Sequence, residues 1–243
     1  MRVLSTVKYT ALRMARNYIV LLLLLVVPII LITFFSYILA GVMTETGEPL
    51  RDEHAMQMVF VFQLFGGSIV MYLIYTDLFT KNKMRMYVLP FNQTMYAFSI
   101  MMCGAVYSIL LGVILMVYSR LVLGVIWENW VWTIYIIFLM AVLSIIVCLI
   151  FTFSVKNYKI AERLSEVYGV GFVILGGFFF PMPKNAFFEF FGTYGNPLTL
   201  SIGAVHEMGQ SNTGDAWFQA NILLGAIIIL FIVMLILGRR RME

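Results

Sequence analysis

Charge is what this sequence lacks most: 12% of its 243 residues are Asp, Glu, Lys or Arg, against 62% hydrophobic ones. Soluble domains carry about 25% charge, so the composition, with a mean hydropathy of +0.96, excludes the water-soluble classes and requires a chain that lives in lipid. Cysteine is scarce. Cys103 and Cys148 both sit in apolar runs, which excludes a disulfide framework and favours packing over redox or metal chemistry. The two histidines, His54 and His206, fall in no ligand spacing such as His-Glu-x-x-His, so no metal site is expected. A Gly-x-x-x-x-Gly-Lys-Ser/Thr loop is missing, so the chain cannot itself cradle and hydrolyse a nucleotide. Nor is a nucleic-acid partner expected. No Asp, Glu, Lys or Arg stands in the middle of an apolar run. Pumps and proton-driven carriers keep such groups although each costs about 2.5–3.5 kcal/mol to insert. Any driving force must therefore come from elsewhere, and no catalytic residue is evident.

What is present is a series of apolar runs. They predict an all-α membrane protein, one domain over 1–243, with six transmembrane helices at 18–42, 56–76, 96–117, 132–152, 167–180 and 217–237. An N-terminal interfacial helix at 1–17 precedes them. At 100° per residue Val3, Leu4, Val7, Ala11 and Met14 share one face and Arg2, Arg13 and Arg16 the opposite one, which suits acyl chains on one side and anionic headgroups on the other. Membrane lipid is thus an expected partner. No small-residue cleavage site follows, so the first span is expected to stay in the mature protein. Pro28 in that span predicts a kink or a packing site. Gly66-Gly67-Ser68 predict the close approach of a neighbour to the second. Trp127, Trp130 and Trp132 predict an interfacial aromatic belt.

Two stretches stand out. The first, 176–199, is too apolar for a wet loop, yet Pro181, Pro183, Gly192, Gly195 and Pro197 break it too often for a span of about 20 helical residues. Non-helical backbone survives in lipid only under cover of protein or a watery cavity, so 181–206 reads as an external re-entrant helical hairpin between spans five and six. The second follows span two. Lys81, Lys83 and Arg85 alternate with Met84, Met86, Tyr87 and Val88 until Pro90 stops any helix. A short helix of this kind offers a knob to a soluble partner. Positive charge sets the orientation: with six crossings and both termini cytoplasmic, only Arg51, Arg120 and Lys184 of the 16 cations lie outside.

On these residues the sequence resembles the membrane subunit of ABC type-2 exporters. Gly176-Gly177-Phe178-Phe179-Phe180-Pro181, an aromatic amphipathic stretch and Asn196-Pro197-Leu198-Thr199 look like that family's Gly-x-x-x-Pro segment, re-entrant helices and Asn-Pro-Leu-Thr motif. The run RMYVLPF over 85–91 is similar to its first cytoplasmic loop, although Asp77 and Thr80-Lys81-Asn82 stand where relatives commonly carry Glu and Gly-Thr. The resemblance implies a permease that is not itself an enzyme. It would pair with a second permease subunit, the same or homologous, in a bacterial plasma membrane, with two ABC ATPase subunits below that bind ATP and Mg; no cofactor would be bound by this chain. Lys81, Lys83, Met84, Arg85, Met86, Tyr87 and Pro90 would couple to the ATPase. Gly177, Pro181, Pro183, Asn196 and Pro197 would build the external re-entrant motif, and spans one, two and five would line the path.

An apolar lining rich in Phe and Met favours hydrophobic or amphipathic cargo such as a drug, antibiotic, lipid or peptide. Two other readings remain at this level. An intramembrane enzyme would need His206, Glu207 and Asp215 to converge at the outer face. A non-transporting immunity or scaffold protein would bind a partner without turnover. For the topology, a cysteine introduced beside Arg241 in a variant lacking Cys103 and Cys148 should stay unlabelled when intact cells meet a membrane-impermeant thiol reagent. Labelling there would contradict an even number of crossings.

Overall fold

A computed structural model describes residues 2–43, 49–80, 93–178, 183 and 185–242. Among these every named element is a helix. The first, α1 (Arg2–Ala15), turns Thr10 and Met14 inward and leaves Tyr9 and Leu12 exposed. Its buried side lies on the chain's own helix Gln93–Leu123 (α5), where the Cys103 thiol reaches the carbonyl of Val7 at 3.7 Å. The expected interfacial helix is therefore covered on that side by protein.

Helix α2 spans Tyr18–Ile38. Pro28 has no N–H to give back to Leu24, and the backbone accommodates this by widening into a π-helical turn over Leu22–Val26, closed by Val27 N–H on the Leu22 carbonyl. Leu24, Pro28, Ile32 and Ser36, four residues apart, form its buried stripe, while Ile19, Leu22, Val26, Ile30 and Phe34 face outward.

Helices α3 (Leu50–Leu64) and α4 (Ser68–Leu78) follow one line through the bundle with a break at 65–67. There the Gly67 N–H donates to Ser144 Oγ at 3.0 Å, and that hydroxyl donates in turn to the Leu64 carbonyl at 2.6 Å. One serine thus satisfies both loose ends of the break, which an apolar surround requires. A Cβ at position 67 would lie 2.5 Å from the Ser144 carbonyl oxygen, so only glycine permits this approach. Beside the break, Gln63 and Ser108 pair twice: Gln63 Nε2 donates to the Ser108 carbonyl (3.1 Å), and Ser108 Oγ to Gln63 Oε1 (2.8 Å).

Helix α5 (Gln93–Leu123) and helix α6 (Trp130–Ser154) complete the interior. At 25 residues, α6 is about 37 Å long, enough to cross a hydrocarbon core of about 30 Å. It is buried along most of its length and serves as the central post. One core cluster gathers around Phe60, Ile137, Met140, Leu198 and Leu223, and a second around Met14, Val70, Ile74, Ile100 and Leu149.

Helix α7 (Tyr158–Leu175) overlaps the expected fifth span at 167–180 and is longer at its start. It begins well before 167, its Asn157 side chain capping the Lys159 N–H at 3.0 Å, and it ends before 180. Lys159, Glu162, Arg163 and Glu166 on its first half make it too polar to count, by length and composition, among the helices able to cross a membrane. Among the described residues those are Tyr18–Ile38, Leu50–Leu78, Thr94–Leu123, Trp130–Ser154 and Thr213–Arg241. Two short helices, α8 (Ala186–Thr193) and α9 (Pro197–Gly209), then lead to α10 (Thr213–Met242).

The tryptophan expectation also needs correction. Trp127 and Trp132 are only 3% and 7% exposed. Their indole N–H groups donate to Ser119 Oγ (2.9 Å) and the Ala204 carbonyl (2.8 Å), and those internal partners draw them into the core rather than into a belt. Trp130 alone of the three is exposed.

The close approach at the break yields a direct comparison. Gly67→Ala should lower stability in detergent by about 2–3 kcal/mol, because backbone must move. Gly171→Ala, where a Cβ meets nothing within 4 Å, should be neutral or gain up to about 1 kcal/mol of helix propensity. Thermal unfolding of the two purified variants checks the order.

Candidate functional site

The first candidate lies where α1, α4 and α5 meet. Asp77, 4% exposed, accepts a two-pronged pair from the Arg13 guanidinium at 2.8 and 2.9 Å, and the Tyr96 hydroxyl at 2.8 Å. Arg13 also reaches Thr76 Oγ1 at 3.3 Å. Three helices are tied through one carboxylate, and the matched fork makes this among the stronger forms of ion pair. The hydrogen bond to Asp77 holds the Arg13 guanidinium above its ordinary range, against the opposing effect of burial. Arg13, its side chain still 44% exposed, is thus held on one side by Asp77, a partner the helical wheel does not show.

A second tie secures the same end. Arg241, in the last turn of α10, donates to the carbonyls of Phe153 and Val155 where α6 ends, a favourable place for a cation. Its guanidinium also stands 4.7 Å from the centre of the Phe79 ring. Phe79 and Tyr96 thus approach from either side the residues singled out for coupling. Lys81, Lys83, Met84, Arg85, Met86, Tyr87 and Pro90 themselves lie outside the described residues, as do Pro181 and Lys184.

At the opposite end α7 stops at Gly177, whose φ of +71° is a left-handed conformation that glycine adopts freely. Asn196, fully buried, spans the corner that follows. Its Nδ2 donates to the Phe172 carbonyl at 2.8 Å, near the end of α7, and its Oδ1 accepts the Leu198 N–H at 2.9 Å at the start of α9. Pro197 occupies the first turn of α9, where a missing N–H is no loss. Gly177, Asn196 and Pro197 are thus brought to one corner, while Pro183 is exposed.

Beside this corner lies a cavity of ≈ 550 Å³ between the start of α3, the 124–129 connection and α9. Met56, Ile126 and Ile202 give it apolar walls, and Asp52, Glu53 and Glu128 a carboxylate rim; no Lys or Arg lines it among the described residues. Asp52 is structural. It accepts the Arg51 Nε–H at 3.0 Å and the Ile126 N–H at 3.2 Å, fastening the connection to α3. A second cavity of ≈ 540 Å³, almost wholly apolar, lies between α5 and α10 near Arg239.

The catalytic grouping of His206, Glu207 and Asp215 is not assembled. Asn212 donates to both Glu207 (2.8 Å) and Asp215 (2.6 Å), joining the ends of α9 and α10, whereas His206 meets Gln210 one turn along its own helix at 2.8 Å. Among the described residues no three His, Cys, Asp or Glu side chains group as metal ligands.

A helical bundle whose outer helices turn isoleucine and phenylalanine outward and which contains several helices long and apolar enough to cross a bilayer is a multi-pass integral membrane protein. A family model described as "ABC-2 type transporter" matches residues 2–208, and the chain belongs to that family. It is accordingly a permease component of an ABC transporter. Neither a curated protein nor a solved structure matches the chain.

Sequence reading did not find the Arg13–Asp77–Tyr96 tie, the Ser144 bridge or the Gln63–Ser108 pair. The partners are far apart along the chain, 64 residues in the first case, and no local spacing signals them. A double-mutant cycle on Arg13→Gln and Asp77→Asn, followed by unfolding in mixed detergent, should give a coupling of about 2 kcal/mol, between the values for exposed and buried pairs. Coupling near zero would show that the pair is no tie.

Proposed function

We propose that the chain is the membrane subunit of an ATP-driven exporter of hydrophobic or amphipathic cargo, worked by a separate ABC ATPase. The observation that carries this reading is the closed base at the arginine-rich end. The segment that would meet the ATPase leaves from α4 and returns in α5, and Asp77 and Tyr96 join those two helices at 2.8 Å while Arg13 locks α1 onto them. A push delivered to 81–92 would then move three helices as one body, which a lever needs and a floppy loop cannot provide.

Membership of the ABC-2 family supports association with an ATPase. Two permeases and two ATPases complete the proposed assembly, with six crossings, both termini in the cytoplasm and the α8–α9 pair re-entrant from outside. In this arrangement α7 with the residues after it supplies the fifth crossing, its charged first half reaching into the cytoplasm. The apolar cavity beside Arg239 and the mixed cavity beside Glu128 both suit cargo with a large apolar part. Arg239, Arg240 and Arg241 at the end of α10 favour the cytoplasmic placement of that end.

Expressed with the ATPase of its own genome neighbourhood and purified in mild detergent, the chain should hold that ATPase. Arg85→Ala or Tyr87→Ala should cut cargo-stimulated ATP hydrolysis about tenfold, equivalent to about 1.4 kcal/mol of lost coupling, with no change in the permease's unfolding temperature. A permease that retains no nucleotide-binding protein, or variants with wild-type stimulation, would defeat the proposal.

A further inference from the structure

We infer that the cavity between α3, the 124–129 connection and α9 binds an amphipathic cation, a molecule with an amine or quaternary ammonium head on an apolar body. As a cargo site this rests on the export reading; as a binding site it does not. A cavity of ≈ 550 Å³ has room for a drug-sized ligand, and its apolar walls with few polar groups match the usual composition of such sites.

The charge arrangement selects the sign of the ligand. The Glu128 side chain is laid against the last turn of α9, so close that a Cβ on Gly209 would fall 2.0 Å from its Oε2. That turn is the negative end of the α9 dipole. The Glu128 carboxylate has no hydrogen-bond or ion-pair partner among the described residues, and Glu53, on the same rim, is held only by Gln57 at 3.0 Å. Two carboxylates and a helix C-terminus thus face one space that no Lys or Arg lines among the described residues, with the His206 imidazole also on its wall, and a bound positive head would relieve the repulsion between the carboxylates.

A further polar group points the same way. Thr199 lines the cavity, and its hydroxyl is buried with no hydrogen-bond partner among the described residues, so a ligand's polar atom can bond to it. Glu53 and Glu128 together set the sign of the ligand. An anionic polymer or a fatty acid would meet these charges at a cost, and a neutral lipid tail would leave them unanswered.

The test uses the full chain in phosphatidylcholine nanodiscs with rhodamine 6G as a fluorescent amphipathic cation. Two ions of the same size and shape but opposite charge, tetraphenylphosphonium and tetraphenylborate, serve as competitors. Saturable binding displaced by the phosphonium and not by the borate is expected. Glu53→Gln with Glu128→Gln, both at exposed positions, should weaken rhodamine binding about tenfold, as expected for loss of partly screened charge contacts, and leave the unfolding temperature unchanged. Equal displacement by both ions, or equal affinity of wild type and the double variant, would overturn the inference.

Measured again in the complex with its ATPase, the two ideas separate. An exporter that moves rhodamine 6G equally well with and without the two carboxylates removes the site and keeps the export reading. Charge-selective binding in a chain that recruits no ATPase keeps the site and removes the export reading.

Discussion

A backbone or side-chain polar group inside this bundle has no water to turn to, and every irregularity in the helices is shaped by that constraint. Ser144 shows it most simply. Its hydroxyl accepts from Gly67 and donates to Leu64, so one short side chain on the central post satisfies a break in its neighbour. The same accounting recurs at Asn196, which joins the end of α7 to the start of α9, and at Arg241, which closes the end of α6. Ser144, Asn196 and Arg241 each stitch two helices together.

The stitches divide the molecule into two differently built ends. At one, Arg13, Asp77 and Tyr96 bind three helices into a base and Arg241 adds a fourth and a fifth element through α6 and Phe79. At the other, the joints are made by helix caps and short connections around a cavity with unanswered carboxylates. In the export reading a stiff end receives force and a looser, acidic end meets the outside. The line from one to the other runs along α3 and α4, broken midway at 65–67 and held there by a hydrogen-bonded hinge rather than by continuous helix.

This economy also tells against the enzyme reading. Glu207 and Asp215 are occupied by the amide of Asn212, which joins two helix ends, and His206 is set toward Gln210 on its own helix. Groups fastened in this way stabilise turns; they do not present a nucleophile with a base behind it. The tryptophans of the 124–132 region behave likewise, since Trp127 and Trp132 spend their N–H groups inside the bundle.

The sequence by itself determined that the chain is helical and lives in a membrane, because an apolar majority with so little charge has no other stable home. It also carried the family likeness, and it placed Gly177, Asn196 and Pro197 at a break, since glycine, a capping amide and proline act on the backbone within a turn of themselves. Hydropathy suggested a crossing at 167–180 because it marks where lipid is tolerated, whereas the Asn157 cap sets where helix α7 starts. Only the tertiary structure decided that Arg13 belongs to Asp77, that Ser144 bridges a broken span and that Glu128 rests on the end of α9. Each of these depends on distance in space between residues remote in the chain, and periodicity along a helix holds no information about which neighbour will stand across from it.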